Sequence, residues 1–549
     1  MKVQTELGRS DATATAGGLF LRRSSGLVRE FSARDALVFN LIAFSPGLSI
    51  ALLPLSLALT VPNVDVFALT AVAVAFAICN GLTYAYLSAA MPRSGGEYVF
   101  LGRSVSPVIG FVANWGFTWS QILGMAFYAS FTVSFAIAVS FFIIGATLEN
   151  ATILSWSDSV AQQWPTFLIA TAMVMVVAVV LTLGPRLTRW FLNALFIPAL
   201  LGSLVTMYVL ATTSHSKFIS QFNSFMAVYG GGRTYESVVA AAAADGFIEQ
   251  AHTFGTLLDA MPIAAFFFIG FTYSAYIGGE VKEPGKTQPR AIMVSLAVCT
   301  LFYVVNLGLF FNIVGQHFYN SFVFLASTEA GTGLPAGGVP VINMFAGMMT
   351  SSPVLNVLMG LSFLIWPFIL LFAMATVCSR NLFAWSFDRI LPHAITTVDR
   401  RFSSPWVSTL LIVVATEIFL AFYAFTTVFQ NITNYTAIFS VAFWLASFAA
   451  ILLPYRRPDI FEAAPPSARK RIVGVPVMSL VGVGNLVLFT LSLIGVIRFP
   501  AFSGPNGTGA ILFVVGIYVS GLAIFVMSQQ IQARRGVDLS LIYKEIPPE

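Results

Sequence analysis

Residues 40–49 read NLIAFSPGLS and lie inside an apolar run at 34–60. Pro46 removes a backbone donor and clashes with the carbonyl of Ile42, while Gly47 tolerates dihedral angles outside the helical range. The stretch therefore predicts a long apolar helix that is interrupted near its middle. In a membrane, such a break is tolerated only where the backbone faces protein or a wet cavity, so it indicates a buried site.

The composition places the chain in a membrane. Of its 549 residues, 57% are hydrophobic and 9% are charged, whereas soluble proteins carry about 25% charged residues. So little charge cannot cover a water-exposed surface, and lipid must cover much of the protein. The apolar runs also leave no room for a soluble catalytic domain.

Apolar runs of the length that crosses a bilayer, about 20 residues, recur along the chain. They predict an all-α polytopic membrane protein with twelve transmembrane helices. The predicted spans are 34–60, 65–91, 107–145, 165–183, 188–212, 260–280, 290–314, 353–378, 405–427, 433–454, 475–497 and 509–530.

The basic residues predict the orientation of these spans. If both termini are cytoplasmic, all of the 28 Lys and Arg residues except Lys217, Arg233 and Arg498 fall on the cytoplasmic side, as the positive-inside rule requires. The net charge of +5 thus reflects membrane topology, and we expect no nucleic-acid partner. We predict a multi-pass protein of the cell membrane.

This topology divides the chain into seven segments. They are a cytoplasmic tail at 1–30, a five-helix repeat at 31–212, an extracellular loop at 213–259, a second five-helix repeat at 260–454, a cytoplasmic loop at 455–474, two further helices at 475–532 and a cytoplasmic tail at 533–549. The long extracellular loop is either a solvated connector or an outer lid. The four histidines are scattered and no phosphate-binding loop is evident, so we expect no cofactor and no enzymatic activity.

A second break is predicted in the sixth span. Residues 266–274 read FFFIGFTYS, in which Gly270 is the breaking residue. The first and sixth spans occupy corresponding positions in the two halves, and paired interruptions of this kind are the best sequence pointer to a transporter site. The alternative is that both positions are mere kinks or packing sites.

The exposed backbone at a break has a definite chemistry. The free N–H groups and positive dipole end at the start of a half-helix suit a carboxylate. The free carbonyls at the end of a half-helix suit an ammonium group or a cation. An amino acid zwitterion presents both charges.

Three further stretches resemble the amino acid–polyamine–organocation superfamily of permeases, in its amino-acid permease branch. They are MPRSGGEYVF at 91–100, GEVKEPGKTQPR at 279–290 and SRNLFAWSFDRILP at 379–392. The resemblance implies a leucine-transporter-type core, in which two inverted five-helix repeats are followed by two extra helices. It also implies transport by alternating access.

The resemblance assigns substrate-binding residues at both breaks. In the first span the carboxylate-binding turn corresponds to Ser45, Pro46, Gly47 and Leu48. Because Pro46 has no N–H, one potential carboxylate donor is missing there.

In the sixth span the substrate-binding residues are Phe266, Ile269, Gly270 and Thr272. Phe266 corresponds to an aromatic gate over the substrate. Thr272 stands where many relatives have Glu, so an acidic gating residue is missing.

The coupling ion, H⁺ or Na⁺, has one candidate site. The fifth span reads LFIPA at 195–199 and lacks the membrane-buried lysine that serves some relatives as a proton site. A sodium-type site could use the carbonyls of Ala43 and Phe44 with the hydroxyls of Thr376 and Ser379. Alternatively, these hydroxyls bond only to their own helix backbone.

Other polar or large residues are weaker candidates. Glu417 is the only acid in the middle of a predicted span and is either functional or paired with a neighbouring polar group. Gln121, Met125 and Trp366 could line a pocket, although packing is the simpler interpretation of the last two. Eight charged residues near the predicted cytoplasmic face form either an inner gate or ordinary loop charges; they are Glu97, Arg103, Glu280, Lys282, Glu283, Arg380, Asp388 and Arg389.

Together these features predict secondary active transport of amino acids, with neutral ones favoured because the predicted site holds no acid or base. The alternative substrate is a polyamine, ethanolamine or another organic amine. A membrane enzyme would need clustered polar catalytic residues, which the sequence lacks. A channel is disfavoured because paired breaks at one depth indicate a single occluded site. The expected partners are a small-molecule substrate, the lipid bilayer and a coupling ion.

Overall fold

A computed structural model describes residues 31–248, 252–328, 331–335, 337–399, 404–427, 434–498 and 507–539. These residues are almost entirely helical, which confirms the predicted all-α membrane protein. The first half contains α1 (Ala33–Phe44), α2 (Pro46–Thr60), α3 (Val66–Ala90), α4 (Glu97–Ser104), α5 (Pro107–Phe131), a π-helical turn (Thr132–Ile137), α6 (Ala138–Thr147), α7 (Ala151–Val160), α8 (Gln163–Thr182), α9 (Pro185–Ala211), α10 (His215–Tyr229) and α11 (Tyr235–Ala244).

The second half is also mainly helical. It contains α12 (Phe254–Asp259), α13 (Met261–Phe267), two 3₁₀ turns (Tyr273–Tyr276 and Gly278–Glu280), α14 (Pro284–Val314), α15 (Gln316–Ser327), α16 (Ile342–Met348), α17 (Pro353–Phe387), a 3₁₀ turn (His393–Thr396), α18 (Trp406–Phe425), α19 (Tyr435–Arg456), α20 (Pro458–Ala463), β1 (Arg471–Ile472), β2 (Val475–Pro476), α21 (Val477–Arg498) and α22 (Gly507–Arg534). The two strands form a small antiparallel hairpin in the loop between α20 and α21.

Eleven helical segments within the described residues are long and apolar enough to cross a membrane. They correspond to all the predicted spans except the sixth, which consists of the short helix α13 followed by 3₁₀ turns. The count of twelve and the inverted repeat stay predictions.

The first span lies at the centre of the bundle. In its most apolar window 83% of the residues are buried, whereas the corresponding window of α22 is 22% buried. The long helix α17 packs against α1, α5 and α9. A reciprocal capping box fixes the start of α1, because the Ser32 hydroxyl accepts from the Asp35 amide (3.3 Å) and the Asp35 carboxylate accepts from the Ser32 amide (3.0 Å).

The predicted loop at 213–259 is not a simple connector, because it contains the short helix α12 and two longer helices, α10 and α11. The two longer helices pack with α15 through a dense aromatic cluster. Tyr235 stacks on Phe318 with ring centroids 3.9 Å apart, and Phe218 and Phe222 contact Phe318 edge-on. These helices form a packed layer over one end of the bundle; whether they act as a lid stays a prediction.

This layer yields a test of stability. Replacement of Phe318 by Ala removes the ring that links the three helices, and a buried Phe→Ala change costs about 3–5 kcal/mol. We expect a lower melting temperature for the purified protein in a thermal scan. Val228 on α10 is 71% exposed, so Val228→Ala is the control and should melt like the wild type. Equal melting of both variants would show that the aromatic cluster contributes nothing.

Candidate functional site

The first span breaks at Ser45. This residue adopts left-handed dihedral angles (φ 50°, ψ 63°) between α1 and α2. A residue before proline is disfavoured in the right-handed helical region, and proline itself suits the first position of a new helix. The predicted break is therefore present, but Pro46 begins the second half-helix and the irregular residue is the serine before it.

Backbone groups at this break are only partly satisfied. The Ser49 hydroxyl donates to the carbonyl of Phe44 (3.1 Å), which has lost its helical partner. The amides of Gly47 and Leu48 are among the first amides of α2, which have no acceptor within the helix. They lie at the positive end of its dipole, so the site keeps two N–H groups suited to a carboxylate despite the proline.

The sixth span breaks more completely. Helix α13 ends at Phe267, Gly270 has a φ of 95°, and the chain continues as 3₁₀ turns instead of a second α-helix. The Tyr303 hydroxyl donates to the freed carbonyl of Phe267 (3.1 Å). The break predicted at Gly270 is present, whereas the resumed half-helix is not.

The two breaks are in direct contact. A Cβ atom on Gly270 would lie 2.6 Å from the carbonyl carbon of Ala43 and 2.8 Å from the amide nitrogen of Phe44. The Asn40 side-chain oxygen also accepts from the amide of Ser274 (2.8 Å), so α1 holds the turn after the second break. Glycine is thus required at 270 both by its dihedral angle and by the approach of the two backbones.

A small cavity of about 30 Å³ lies where the breaks meet. Its lining combines apolar side chains with hydroxyl and amide groups, and none of the lining residues is charged. The residues are Ala43, Phe44, Ser45, Leu48, Ser49, Gln121, Tyr128, Phe266, Phe267, Ile269, Tyr273, Leu370, Met374 and Phe439. The volume holds one or two water molecules, so the site is contracted in this conformation.

Half of the predicted substrate residues line this cavity. Ser45, Leu48, Phe266 and Ile269 do so. The other half lie beside the cavity without lining it; they are Pro46, Gly47, Gly270 and Thr272. Gly47 packs against Trp366. The buried Thr272 hydroxyl has no hydrogen-bond partner among the described residues.

Sequence reasoning missed several lining residues that come from other parts of the chain. Tyr128 and Tyr273 both line the cavity, and the Tyr273 hydroxyl donates to the side-chain oxygen of Gln121. Ser49 follows the break by one helical turn. A hydroxyl or phenol beside a broken helix is the signal that could have identified Ser49 and Tyr273, whereas Tyr128 depends on how α5 packs.

Only two of the four candidate coupling-ion residues line the cavity. Ala43 and Phe44 line the cavity, but Thr376 and Ser379 do not. The Ser379 hydroxyl donates to the carbonyl of Thr376 (2.9 Å) and accepts from the guanidinium of Arg380 (2.9 Å). Its oxygen therefore already faces a cation, which disfavours Na⁺ coordination there, while the Thr376 hydroxyl has no partner in the described part of the chain.

Of the four weaker single-residue candidates, Gln121 lines the cavity, whereas Glu417, Trp366 and Met125 do not. Glu417 is half-buried on α18 and accepts a hydrogen bond from Thr171 (2.9 Å) on α8. Trp366 is buried and donates to Ser203 (2.8 Å). Met125 is buried against Thr416. These contacts agree with packing and local pairing.

Two buried ion pairs close the face that carries most of the basic residues. Arg380 on α17 binds both oxygens of Glu280 (2.6 and 3.0 Å), which lies at the end of the sixth span. Arg103 on α4 binds Asp388 (3.0 Å), and both side chains are at most 3% exposed. These pairs tie the broken helix and α4 to α17; whether they act as an inner gate stays a prediction.

Glu97 lies fully buried beside these pairs. Its carboxylate accepts from the hydroxyls of Tyr84 and Tyr276 and from the amide of Asn114 (3.0 Å). Burial raises the pKa of the Glu97 carboxyl, and the three donors oppose that rise. The group connects α3, α4, α5 and the sixth span through hydrogen bonds instead of an ion pair.

The sequence profile of the amino acid permease family matches residues 35–522. The chain belongs to this family. The resemblance seen in the three sequence stretches is thereby confirmed, and membership in a family of permeases argues against the membrane-enzyme alternative.

Similar proteins occur in several bacteria. An uncharacterised transporter of Mycobacterium tuberculosis is 25% identical over 348 residues, and the match covers 62% of each chain. A branched-chain amino acid permease of Bacillus subtilis is 24% identical over 433 residues, covering 78% of this chain and 79% of the relative. A methylthioribose transporter of the same organism is 27% identical over 279 residues, covering 50% and 51%.

The contact between the breaks gives a direct test. In Gly270→Ala the added methyl meets the backbone of Ala43 and the residue must hold an unfavourable φ. We expect substrate uptake to fall at least about tenfold while the protein still inserts. A tenfold decrease corresponds to a loss of about 1.4 kcal/mol. A methyl at Gly308 meets nothing within 4 Å, so Gly308→Ala is the matched control. Normal uptake by Gly270→Ala would place the site elsewhere.

The Arg380–Glu280 ion pair gives a second test. Glu280→Gln leaves the Arg380 guanidinium buried without its counter-charge, which costs about 3–5 kcal/mol. The purified variant should therefore melt at a lower temperature. Glu283 in the same loop pairs with Lys286, with both side chains 76% exposed, so Glu283→Gln should melt like the wild type. If the two variants lose equal stability, the Arg380–Glu280 pair does not stabilise this face of the protein.

Proposed function

We propose that this protein is a secondary transporter of neutral amino acids that carry apolar side chains. The observation that carries this proposal is the cavity between two broken helices, whose lining includes no charged residue. The free amide of Leu48, which lines the cavity, and that of Gly47, which lies beside it, would bind the substrate carboxylate once the cavity opens. Carbonyls in the last turn of α13, apart from that of Phe267, which accepts from Tyr303, would bind the ammonium group.

The apolar part of the lining supports an apolar substrate side chain. Leu48, Ile269, Leu370, Met374 and Phe266 all contribute apolar side chains to the lining. Burial of a side chain of the size of leucine or valine against such a wall is worth about 1.5–3 kcal/mol. The Bacillus subtilis relative named as a branched-chain amino acid permease agrees with this choice.

The organic-amine alternative receives less support. A polyamine or ethanolamine has no carboxylate to use the free amides of α2, and a desolvated ammonium group needs an acidic partner. None of the lining residues is acidic. The charge-free lining therefore favours a zwitterion over a cation.

We further propose transport by alternating access in the cell membrane, with both termini cytoplasmic and coupling to H⁺ or Na⁺. Ligand sites usually measure about 300–1,000 Å³. The 30 Å³ cavity must therefore open for substrate to enter. Opening towards the basic face would require the Arg380–Glu280 and Arg103–Asp388 pairs to separate.

Uptake into liposomes tests the proposal. Purified protein should give saturable uptake of labelled leucine, isoleucine or valine under a proton or sodium gradient, and little uptake of arginine or putrescine. The gradient that drives uptake identifies the coupling ion. Saturable uptake of putrescine with none of leucine would favour the amine alternative, and no uptake of any of them would contradict the function.

A variant pair tests the role of the cavity. Phe266→Ala removes a ring that contacts the substrate and should lower kcat/KM for leucine about tenfold, which corresponds to about 1.4 kcal/mol. Phe324 on α15 is also half-buried but packs on Phe247, away from the cavity, so Phe324→Ala is the control. Equal kinetics for Phe266→Ala and the wild type would exclude Phe266 from the substrate site.

A further inference from the structure

Glu97 takes no part in the proposed substrate site, yet its carboxyl group is fully buried. Its side-chain partners in the described part of the chain are the hydroxyls of Tyr84 and Tyr276 and the side-chain amide of Asn114 (3.0 Å). None of the three carries a positive charge. Because an unpaired buried charge is costly, a buried carboxylate normally has a cation beside it or takes up a proton.

The charged groups around Glu97 have positions or partners of their own. Those on the neighbouring elements are Arg93, Arg103, Glu280, Arg380, Asp388, Arg456 and Arg457, and within the described residues none of them forms a hydrogen bond with Glu97. Two further phenols, Tyr273 and Tyr518, lie within electrostatic range of the carboxylate. Their hydroxyls donate to Gln121 and to the carbonyl of Ile438. The surroundings of Glu97 are therefore polar but not cationic.

Opposing effects act on the charge of Glu97. Burial raises the pKa of its carboxyl and favours the neutral form. The three hydrogen-bond donors oppose that rise, and Glu97 is also the first residue of α4, where the helix dipole favours a negative charge. Both charge states are thus accessible to this group, unlike a carboxylate in an ion pair.

The arrangement selects a proton over a metal ion. All three neighbouring side chains point hydrogen atoms at the carboxylate, and these would repel a metal cation. A hard metal ion also takes several oxygen ligands arranged around it. A proton needs only one oxygen atom, so it is the cation that the Glu97 site can accept.

One 3₁₀ turn connects Glu97 with the substrate cavity. Tyr273 begins this turn and lines the cavity, and Tyr276 ends it and donates to Glu97. The Tyr276 ring stacks on Phe117 with ring centroids 4.6 Å apart. A Cβ atom on Gly96 would lie 2.3 Å from the same ring, so α4 and the turn are in close contact. A movement of Tyr276 would reach the cavity through this single turn.

Proton binding weakens the contact between α4 and the turn. The ionised carboxylate accepts all three hydrogen bonds, and hydrogen bonds to a charged acceptor are about twice as strong as neutral ones. The protonated carboxyl adds its own O–H group, which needs an acceptor. The nearest oxygens belong to the groups that now donate, so at least one of the three hydrogen bonds must reverse or break.

We propose that Glu97 binds the proton that is coupled to transport, and that proton binding weakens its link to Tyr276 and lets the sixth span separate from α4 on the basic face. The proton forms an O–H bond with a Glu97 oxygen and returns to water when that face opens, and no other covalent bond changes. The proposal rests on the proposed amino acid transport and selects H⁺ over Na⁺ as the coupling ion.

Glu97→Gln tests the proton site. The amide keeps the size of the side chain and an acceptor oxygen but cannot take up a proton. Acidification outside the liposomes should accelerate leucine uptake by the wild type, and this acceleration should fall about tenfold in the variant, within the range of coupling between two sites. Exchange of internal for external leucine needs no net proton movement, so its rate should stay within about twofold of the wild type.

Glu417→Gln is the matched control. Glu417 is also a carboxyl group away from the basic loops, and it accepts a hydrogen bond from Thr171 (2.9 Å). Its replacement should leave both the acceleration by protons and the exchange rate unchanged. If Glu417→Gln loses the acceleration and Glu97→Gln keeps it, the proton site is Glu417 and the proposal is wrong.

Infrared difference spectroscopy measures proton binding without any substrate. Acidification of the purified wild type should produce the carbonyl stretching band of a buried protonated carboxyl, and this band should be absent in Glu97→Gln and present in Glu417→Gln. If Glu97→Gln fails to fold, Tyr276→Phe replaces it. That change keeps the ring on Phe117 but removes one donor to the charged form, so the pKa of Glu97 should rise and the band should appear at higher pH.

Four results would overturn the proposal. They are a wild-type pH profile of uptake in Glu97→Gln, equal losses of proton-driven uptake and exchange in that variant, an unchanged infrared band in Glu97→Gln or Tyr276→Phe, and sodium-driven uptake without any dependence on pH. The last result would leave amino acid transport intact. A wild type that shows the Glu97 band but transports no leucine would instead contradict the proposed function and keep the proton site.

Discussion

The contact between two unwound backbones, at Gly270 and at Ala43–Phe44, is the constraint on which the rest of the structure depends. A continuous helix satisfies its own amides and carbonyls, and a break inside a membrane leaves several of them exposed to a medium that offers no water. When the two breaks face each other, their irregular backbone is enclosed by protein. Only a residue without a side chain permits this approach, because even a methyl group at 270 would overlap the backbone of α1.

The surrounding polar side chains compensate for the lost helical hydrogen bonds. Ser49 serves the carbonyl of Phe44, Tyr303 serves that of Phe267, and Asn40 serves the amide of Ser274. Each removes one unsatisfied group that would otherwise cost several kcal/mol in a dry interior. The first amides of α2 have no acceptor within the helix, and in the proposed function they bind the substrate carboxylate. The buried ion pairs on the basic face then close the site from that side.

Much of this could be predicted from the sequence, because the deciding residues act locally. Pro46 has no amide hydrogen and Gly270 tolerates a positive φ, and both properties belong to the residue itself, so both breaks were accessible from the chain alone, as were the apolar spans. The 3₁₀ path after Gly270 was not, since it depends on the contacts of the Ser274 segment with α1 and α14. The helices at 215–244 were missed because their stability comes from the aromatic cluster with α15.

The site shows the same division between local and long-range effects. Ser45, Leu48, Phe266 and Ile269 line the cavity as the resemblance predicted, because they lie next to the breaking residues. Tyr128 and Met374 were not predicted, since only the packing of α5 and α17 brings them there. Ser379 was assigned to an ion site from its position, whereas its hydroxyl is occupied by the neighbouring Arg380, a contact that the sequence pattern does not reveal.

The most direct test of the central claim is a structure of the purified protein with leucine bound. The account predicts ligand density between the breaks, with the carboxylate about 2.7–3.2 Å from the amides of Gly47 and Leu48 and an enlarged cavity around Phe266. Density elsewhere would contradict it. One such place is a separate cavity of about 740 Å³, which Glu149, Ser220 and Tyr229 help to line. Leucine bound in that cavity, with the cavity between the breaks still contracted, would show that the breaks are not the substrate site.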